Sequence, residues 1–279
     1  MWGTTRVLFA MAMTAAVLVI NSTISTWATE LDLLLALAAD VSRSVDQQKF
    51  NLQRKGYAAA ITNPRVIEAI RSGRLGRIAV CYVEWSGSIS QNLVIDWTVI
   101  GDAASARRFA SHLAEAPRSF ADLTSISAGI DFAMAQIERA PFEAKRRVID
   151  ISGDGDDNNI GREVTEARDD AIAKGVTVNG IVVLDETLLS EDGSPYSTTE
   201  LEHYFRDNVI GGPGAFVMVA QDFSAFGNVI LNKLITEIAG LPLTNTLANH
   251  ITKDVQAVGL PELTDLASRN DLGLPGERR

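Results

Sequence analysis

Cysteine occurs once in 279 residues, at Cys81, and histidine three times. A single thiol excludes an intrachain disulfide framework, a cysteine-rich zinc site and a CxxC redox pair. Positive charge is also scarce: 25 Lys and Arg face 35 Asp and Glu, a net of -10. Nucleic acids are therefore poor partners, because binding a polyphosphate relies on a basic face that displaces its counterions. The apolar run Val7 to Ile20 (VLFAMAMTAAVLVI) stops at 14 residues, short of the about 20 that a membrane-spanning helix needs. Internal repeats and low-complexity tracts are lacking too. What is present, 46% hydrophobic and 22% charged residues, suffices for a sizeable buried core.

The run Val7 to Ile20 follows Arg6 and precedes a polar stretch ending in Trp27-Ala28. This is the order of a secretory signal: charged start, apolar middle, small-residue exit. Residues 1–28 are expected to be a signal peptide cleaved near Ala28, with an uncleaved anchor as the alternative. Removing them takes away one charge, Arg6, and leaves an acidic protein of net charge -11 in the periplasm or secreted. No stable membrane span is expected after cleavage. Cys81, within Arg77 to Val83 (RIAVCYV), reads as a small core residue, since no neighbouring base would make its thiolate reactive.

Leu31 to Ala39 (LDLLLALAA) is almost continuously apolar, the pattern of a strand covered on both faces. Helical spacing runs from Val45 to Ile61, and Pro64 opens a short helix to Ile70. Arg77 to Trp85 and Asn92 to Val99 are strands joined by a short polar turn, hence an antiparallel hairpin. Helices follow at Ala103 to Ala114 and Ser125 to Arg139, then a strand at Arg147 to Ser152. Glu163 to Lys174 is helical, Val176 to Leu184 a strand, Thr199 to Arg206 a short helix, Ala215 to Val219 a strand and Phe223 to Ala239 the last helix. This order predicts a doubly wound α/β fold, a mostly parallel sheet with one antiparallel edge strand, over residues 29–240. Residues 241–279, with three prolines, read as a tail.

In an open α/β sheet, ligands gather at the carboxyl ends of strands. Three polar loops fall there: Asp40-Val41-Ser42-Arg43-Ser44, Asp122 to Ser127, and Ser152-Gly153-Asp154-Gly155-Asp156-Asp157-Asn158. Singly, Asp40 and its serines read as helix caps, Thr124 and Ser125 likewise, and the Gly/Asp loop as a turn. Together they offer two carboxylates and three hydroxyls, an oxygen set suited to Mg²⁺ and lacking the His or Cys that zinc favours. Asp156 and Asp157 are expected to be a solvated loop, and Glu84 a hydrogen-bonded edge position. His112, His203 and His250 stand in no catalytic context.

The pattern resembles the von Willebrand factor A domain and its metal-ion-dependent adhesion site, Asp-x-Ser-x-Ser, then a Thr, then an Asp followed by Gly. The resemblance assigns Asp40, Ser42 and Ser44 to the first element, Thr124 to the second, and Asp154 with Gly155 to the third. Phrases such as YVEWSG (Tyr82 to Gly87), RRVIDISGDG (Arg146 to Gly155) and VIGGPGAFV (Val209 to Val217) are similar to the bacterial family called domain of unknown function 1194. It implies a Rossmann-type three-layer sandwich holding Mg²⁺ or Mn²⁺ and binding a partner protein that supplies a Glu or Asp to the metal. Arg43 stands where adhesion-type domains commonly carry Gly, and is expected to point to solvent. The alternatives are a Mg²⁺-dependent, phosphatase-like hydrolase and a metal-free envelope scaffold. A phosphatase of the Asp-x-Asp type would carry an acid at position 42, where this chain has Ser42, so a non-enzymatic role is expected.

Overall fold

The computed structural model describes residues 28–119, 122–157, 161–184 and 198–240. Residues 1–27 of the expected signal segment, the tail with His250, and Asn158 lie outside them. The first half of the fold runs β1 (Thr29–Asp40), α1 (Gln47–Thr62), α2 (Pro64–Arg71), β2 (Ile78–Trp85), β3 (Gln91–Ile100), α3 (Ala103–Glu115) and α4 (Ile126–Glu138). The second half runs β4 (Phe142–Gly153), α5 (Val164–Ala173), β5 (Thr177–Val183), α6 (Thr198–Tyr204), β6 (Val217–Ala220) and α7 (Phe226–Ala239). A π-helical turn, Phe205–Val209, extends α6.

The strands form one sheet in the order β3-β2-β1-β4-β5-β6. Every neighbouring pair is parallel except β2 and β3, so β3 is the antiparallel edge strand. β1 lies in the middle, and its alternating side chains feed two cores. Leu33, Leu35, Leu37 and Ala39 pack with Phe50 and Tyr57 of α1, Phe109 of α3, and Phe226 and Ile230 of α7. Leu34, Ala36 and Ala38 pack with Ile126 and Ile130 of α4, Ala167 of α5 and Leu201 of α6. Burial on both faces is the physical reason β1 reads as an unbroken apolar run. The result is the expected three-layer α/β sandwich.

Cys81 is buried in the second core, and burial pushes its thiol well above the ordinary range. Trp85, also fully buried, donates from Nε1 to the Ala38 carbonyl at 3.2 Å. Its ring lies so close to α4 that a Cβ on Gly129 would meet it at 2.9 Å, which explains a glycine inside that helix.

Three expectations need correction. β4 begins at Phe142, five residues before Arg147, because Phe142 to Ala144 pair with Thr29 to Leu31 of β1; ladder hydrogen bonds make a strand of a charged segment. α7 begins at Phe226, after a turn in which Asp222 Oδ1 accepts from the Ala225 amide at 2.8 Å. Glu84 is not at an edge: β2 lies between β1 and β3, and Glu84 is wholly buried with Arg54 of α1 as its partner. Arg54 Nε and Nη2 both donate to Glu84 Oε1, at 3.0 and 2.5 Å. A second buried charge cluster joins α7 to β4: Lys233 Nζ lies 2.8 Å from Asp150 Oδ1 and also pairs with Glu237. Asn179 of β5 donates to Glu237 Oε1 at 2.8 Å.

Candidate functional site

β1 connects to β2 on one side of the sheet while β4 lies on its other side, so the strand order reverses between β1 and β4. A crevice opens at such a switch point, outside the carboxyl ends of the strands. The pairing of Ala39 with Ser152 puts both strand ends level there. Asp40 closes β1, and Asp154 follows directly on β4; they are 1% and 2% exposed.

The two carboxylates are bridged by hydroxyls. Ser44 Oγ donates to Asp154 Oδ1 at 2.7 Å, and Ser42 Oγ lies 3.1 Å from Ser44 Oγ. Asp40 Oδ1 accepts from the Ser42 amide at 2.7 Å, and the Asp154 amide also donates to the Asp40 carboxylate. Asp40 Oδ2 is buried and has no hydrogen-bond partner among the described residues. Burial first, and the charge of Asp154 second, push the Asp40 carboxyl up to about 8. Water is withheld from the ionised form, and a second anion nearby disfavours it further.

Capping does not account for Asp40. The N-cap of α1 is Asp46, which accepts from the Lys49 amide at 2.8 Å. The Asp40 loop is instead held from outside. Gln53 Nε2 donates to the Asp40 carbonyl at 3.2 Å and Lys49 Nζ to the Ser44 carbonyl at 2.9 Å. Arg118 Nη2 reaches the carbonyls of Val41, Ser42 and Val45 at 3.0, 3.3 and 2.5 Å, and its guanidinium lies 5.0 Å from the Phe50 ring centroid. Cations thus face the outward carbonyls of a loop whose side-chain oxygens face inward.

The second loop is sewn to the first by the Arg43 amide, which donates to the Asp122 carbonyl at 2.9 Å. Thr124 sits half-buried on this segment. Ser125 is the N-cap of α4 without a side-chain cap bond; Asp157 of the third loop does that work, accepting from the Ile126 amide at 2.6 Å. Asp157 is 8% exposed, which corrects the expectation of a solvated loop at this position. Asp156 is half-buried. Arg43 does point outward: its side chain is 69% exposed, 3.7 Å from Asp122 Oδ1.

A fourth loop, which in the sequence reads only as a hairpin turn, adjoins the second. The turn from Ser86 to Ser90 closes with the Ser86 amide on the Ser90 carbonyl at 2.9 Å, and the Ser125 amide donates to the Ser86 carbonyl at 2.8 Å. Ser90 Oγ donates to Asp122 Oδ2 at 3.1 Å; the Leu123 amide first, and this bond second, hold the Asp122 carboxyl below its ordinary value. Neither this turn nor Arg118 carries a periodic signal, since each acts through contacts with distant segments made only on folding. His112 and His203 are exposed on α3 and α6. Among the described residues no cluster of three or more His, Cys, Asp and Glu forms, so the site's oxygens are two carboxylates with hydroxyls.

The family model described as "Protein of unknown function (DUF1194)" matches residues 30–242. No curated protein matches the chain. Among solved structures, the pilus adhesin SpaC of Lactobacillus rhamnosus GG in its open conformation aligns at 12% identity and a TM-score of 0.55, covering 75% of this chain and 30% of the adhesin. Proximal thread matrix protein 1 of the mussel byssus aligns at 14% identity and 0.52, covering 76% and 47%. A von Willebrand factor type A protein from Catenulispora acidiphila aligns at 12% identity and 0.50, covering 75% and 42%. The chain therefore spans less than half the length of each, and what it shares with them is the fold.

Proposed function

The chain belongs to the DUF1194 family with a von Willebrand factor A-like fold, and from that premise we propose that it is an exported module that binds a partner protein through a divalent cation. The observation that carries this reading is the buried Oδ2 of Asp40, which lacks a hydrogen-bond partner among the described residues and faces the added charge of Asp154. A buried carboxyl with only one oxygen compensated is costly to ionise, and a cation relieves that cost. Asp40, Ser42, Ser44, Thr124 and Asp154 would hold Mg²⁺ or Mn²⁺, as hard oxygen donors suit either. When bound, the metal supplies positive charge at the surface of an acidic protein and an open position for an outside carboxylate. The chain's own part is to hold the oxygens in place, through Ser44 on Asp154 and through Lys49 and Arg118 on the loop carbonyls. Residues 1–28 act as the export signal, residues 29–240 as the binding domain and 241–279 as a tail, which places the protein in the periplasm or outside the cell.

The test is thermal unfolding with Mg²⁺, with Mn²⁺ and with chelator. At a hundredfold excess over Kd a ligand contributes about 2.7 kcal/mol, or roughly 5–10 °C in a domain of this size. Asp40→Ala should abolish the rise; identical curves with metal and chelator would remove the proposal.

A further inference from the structure

Two large hydrophobic side chains stand exposed among the described residues: Ile89, 91% exposed, and Leu123, 41%. They occupy adjoining loops at the carboxyl end of the sheet. Ile89 sits on the Ser86 to Ser90 turn, and Leu123 directly precedes Thr124. Ser90 Oγ bonds to Asp122, and the Asp122 carbonyl accepts from Arg43 beside Ser42 and Ser44. Single surface hydrophobics need no explanation, but these two fall together on loops tied to the Asp40 loop.

Nor is Ile89 exposed because its turn is loose. Ser86 is wholly buried, the turn is closed by amide bonds from Ser86 to Ser90 and from Ser90 to Gly87, and Gln91 Nε2 donates to the Gly87 carbonyl at 2.5 Å. A β-branched apolar residue is an unusual choice at the tip of a tight polar turn, where Gly, Asn and Ser are favoured. It is held out by the scaffold, and its apolar surface stays in water until something covers it.

We propose that Ile89 and Leu123 form an apolar rim to the Asp40 and Asp154 site, and that the partner is a protein segment presenting an Asp or Glu with a large apolar side chain within a residue or two of it. This rests on the metal-dependent reading above. The carboxylate would meet the cation site, while the neighbouring apolar side chain would cover the rim, so that the metal sets the charge selected and the rim selects among acidic segments. A bilayer is the disfavoured occupant: the chain carries a net charge of -10, and the acid Asp122 adjoins Leu123 and bonds to Ser90 next to Ile89, whereas anionic membrane surfaces recruit basic clusters.

The probe is a phage library of random linear peptides panned on the immobilised full chain in Mg²⁺ and eluted with EDTA. Peptides eluted from wild type should carry Asp or Glu next to an aromatic or large aliphatic residue. Their binding to Ile89→Ser or Leu123→Ser should weaken about tenfold each, the scale expected for exposing one such side chain, while the Mg²⁺-induced rise in Tm stays unchanged. Acidic peptides without apolar preference, or equal affinity for the double variant, would overturn the rim and leave the metal reading standing. Absence of both the Tm rise and EDTA-eluted peptides would overturn both. Flotation of wild type with phosphatidylcholine or phosphatidylserine vesicles, lost in the double variant, would overturn the rim in favour of a lipid surface.

Discussion

Replacing Asp40 by Asn tests the electrostatics of the site without any partner. The wild-type carboxyl is pushed from an ordinary 3.8 up to about 8, mainly by burial and then by Asp154. Below about pH 4 it is neutral in both folded and unfolded chains, and burying it carries no charge penalty. Between pH 4 and 8 the unfolded chain releases this proton while the folded one keeps it, so metal-free wild type loses stability as pH rises; above 8 the loss is complete. About four pH units at about 1.36 kcal/mol each set a ceiling on the order of 5 kcal/mol. Relaxation of the site and water drawn to the ionised carboxylate reduce it, so a gain of about 1–3 kcal/mol, or roughly 3–10 °C, is expected for chelated Asp40→Asn at pH 8. Asn keeps an oxygen for the Ser42 amide and does not titrate. Urea unfolding of both proteins in chelator at pH 4, 6 and 8 measures the difference, which should be near zero at pH 4 and grow with pH. Mg²⁺ should then stabilise wild type at pH 8 and leave the variant unmoved. Parallel pH profiles, or a variant less stable than wild type at pH 8, would refute the reasoning.

Other substitutions probe what supports the site. Arg54→Met strands Glu84 as a buried charge and removes donors to the Leu113, Ala116 and Pro117 carbonyls; a loss of about 3–5 kcal/mol is expected in urea, and a loss under 1 kcal/mol would contradict the pairing. Arg118→Met should lower Mg²⁺ affinity about tenfold in calorimetric titration, the scale of outer-shell changes at metal sites, with Arg118→Lys restoring part of it; unchanged affinity would deny Arg118 a positioning role. Gly129→Ala drives a methyl group into the Trp85 ring and should cost about 1–3 kcal/mol, read as a lower urea midpoint with a disturbed tryptophan fluorescence spectrum.

Sequence and structure part company at identifiable residues. Leu31 to Ala39 declares a central strand because burial on both faces leaves no room for alternation, and the short polar turn after Trp85 declares a hairpin because parallel strands need longer connections. Phe142 to Lys145 shows no such pattern, since its membership of β4 comes from hydrogen bonds to β1 that any side chain permits. Asp157 reads as one more loop acid until folding carries it to the amide of Ile126, and Glu84 reads as an edge residue until Arg54 arrives from 30 positions away. Asp150 and Lys233, buried against each other across 83 positions, carry no local sign of partnership.

The sequence by itself determined the α/β order, the antiparallel edge strand and the loops that end β1 and β4, because periodicity, turn residues and strand-end polarity are local properties of the chain. Only the tertiary structure decided that Ser44 bridges to Asp154, that Asp40 is buried with an oxygen to spare, that Arg118 holds the loop carbonyls and that Ile89 and Leu123 stand exposed. Those facts depend on which strand ends meet at the reversal of strand order and on how much water is excluded there. Both are properties of packing between distant segments, which no local pattern encodes.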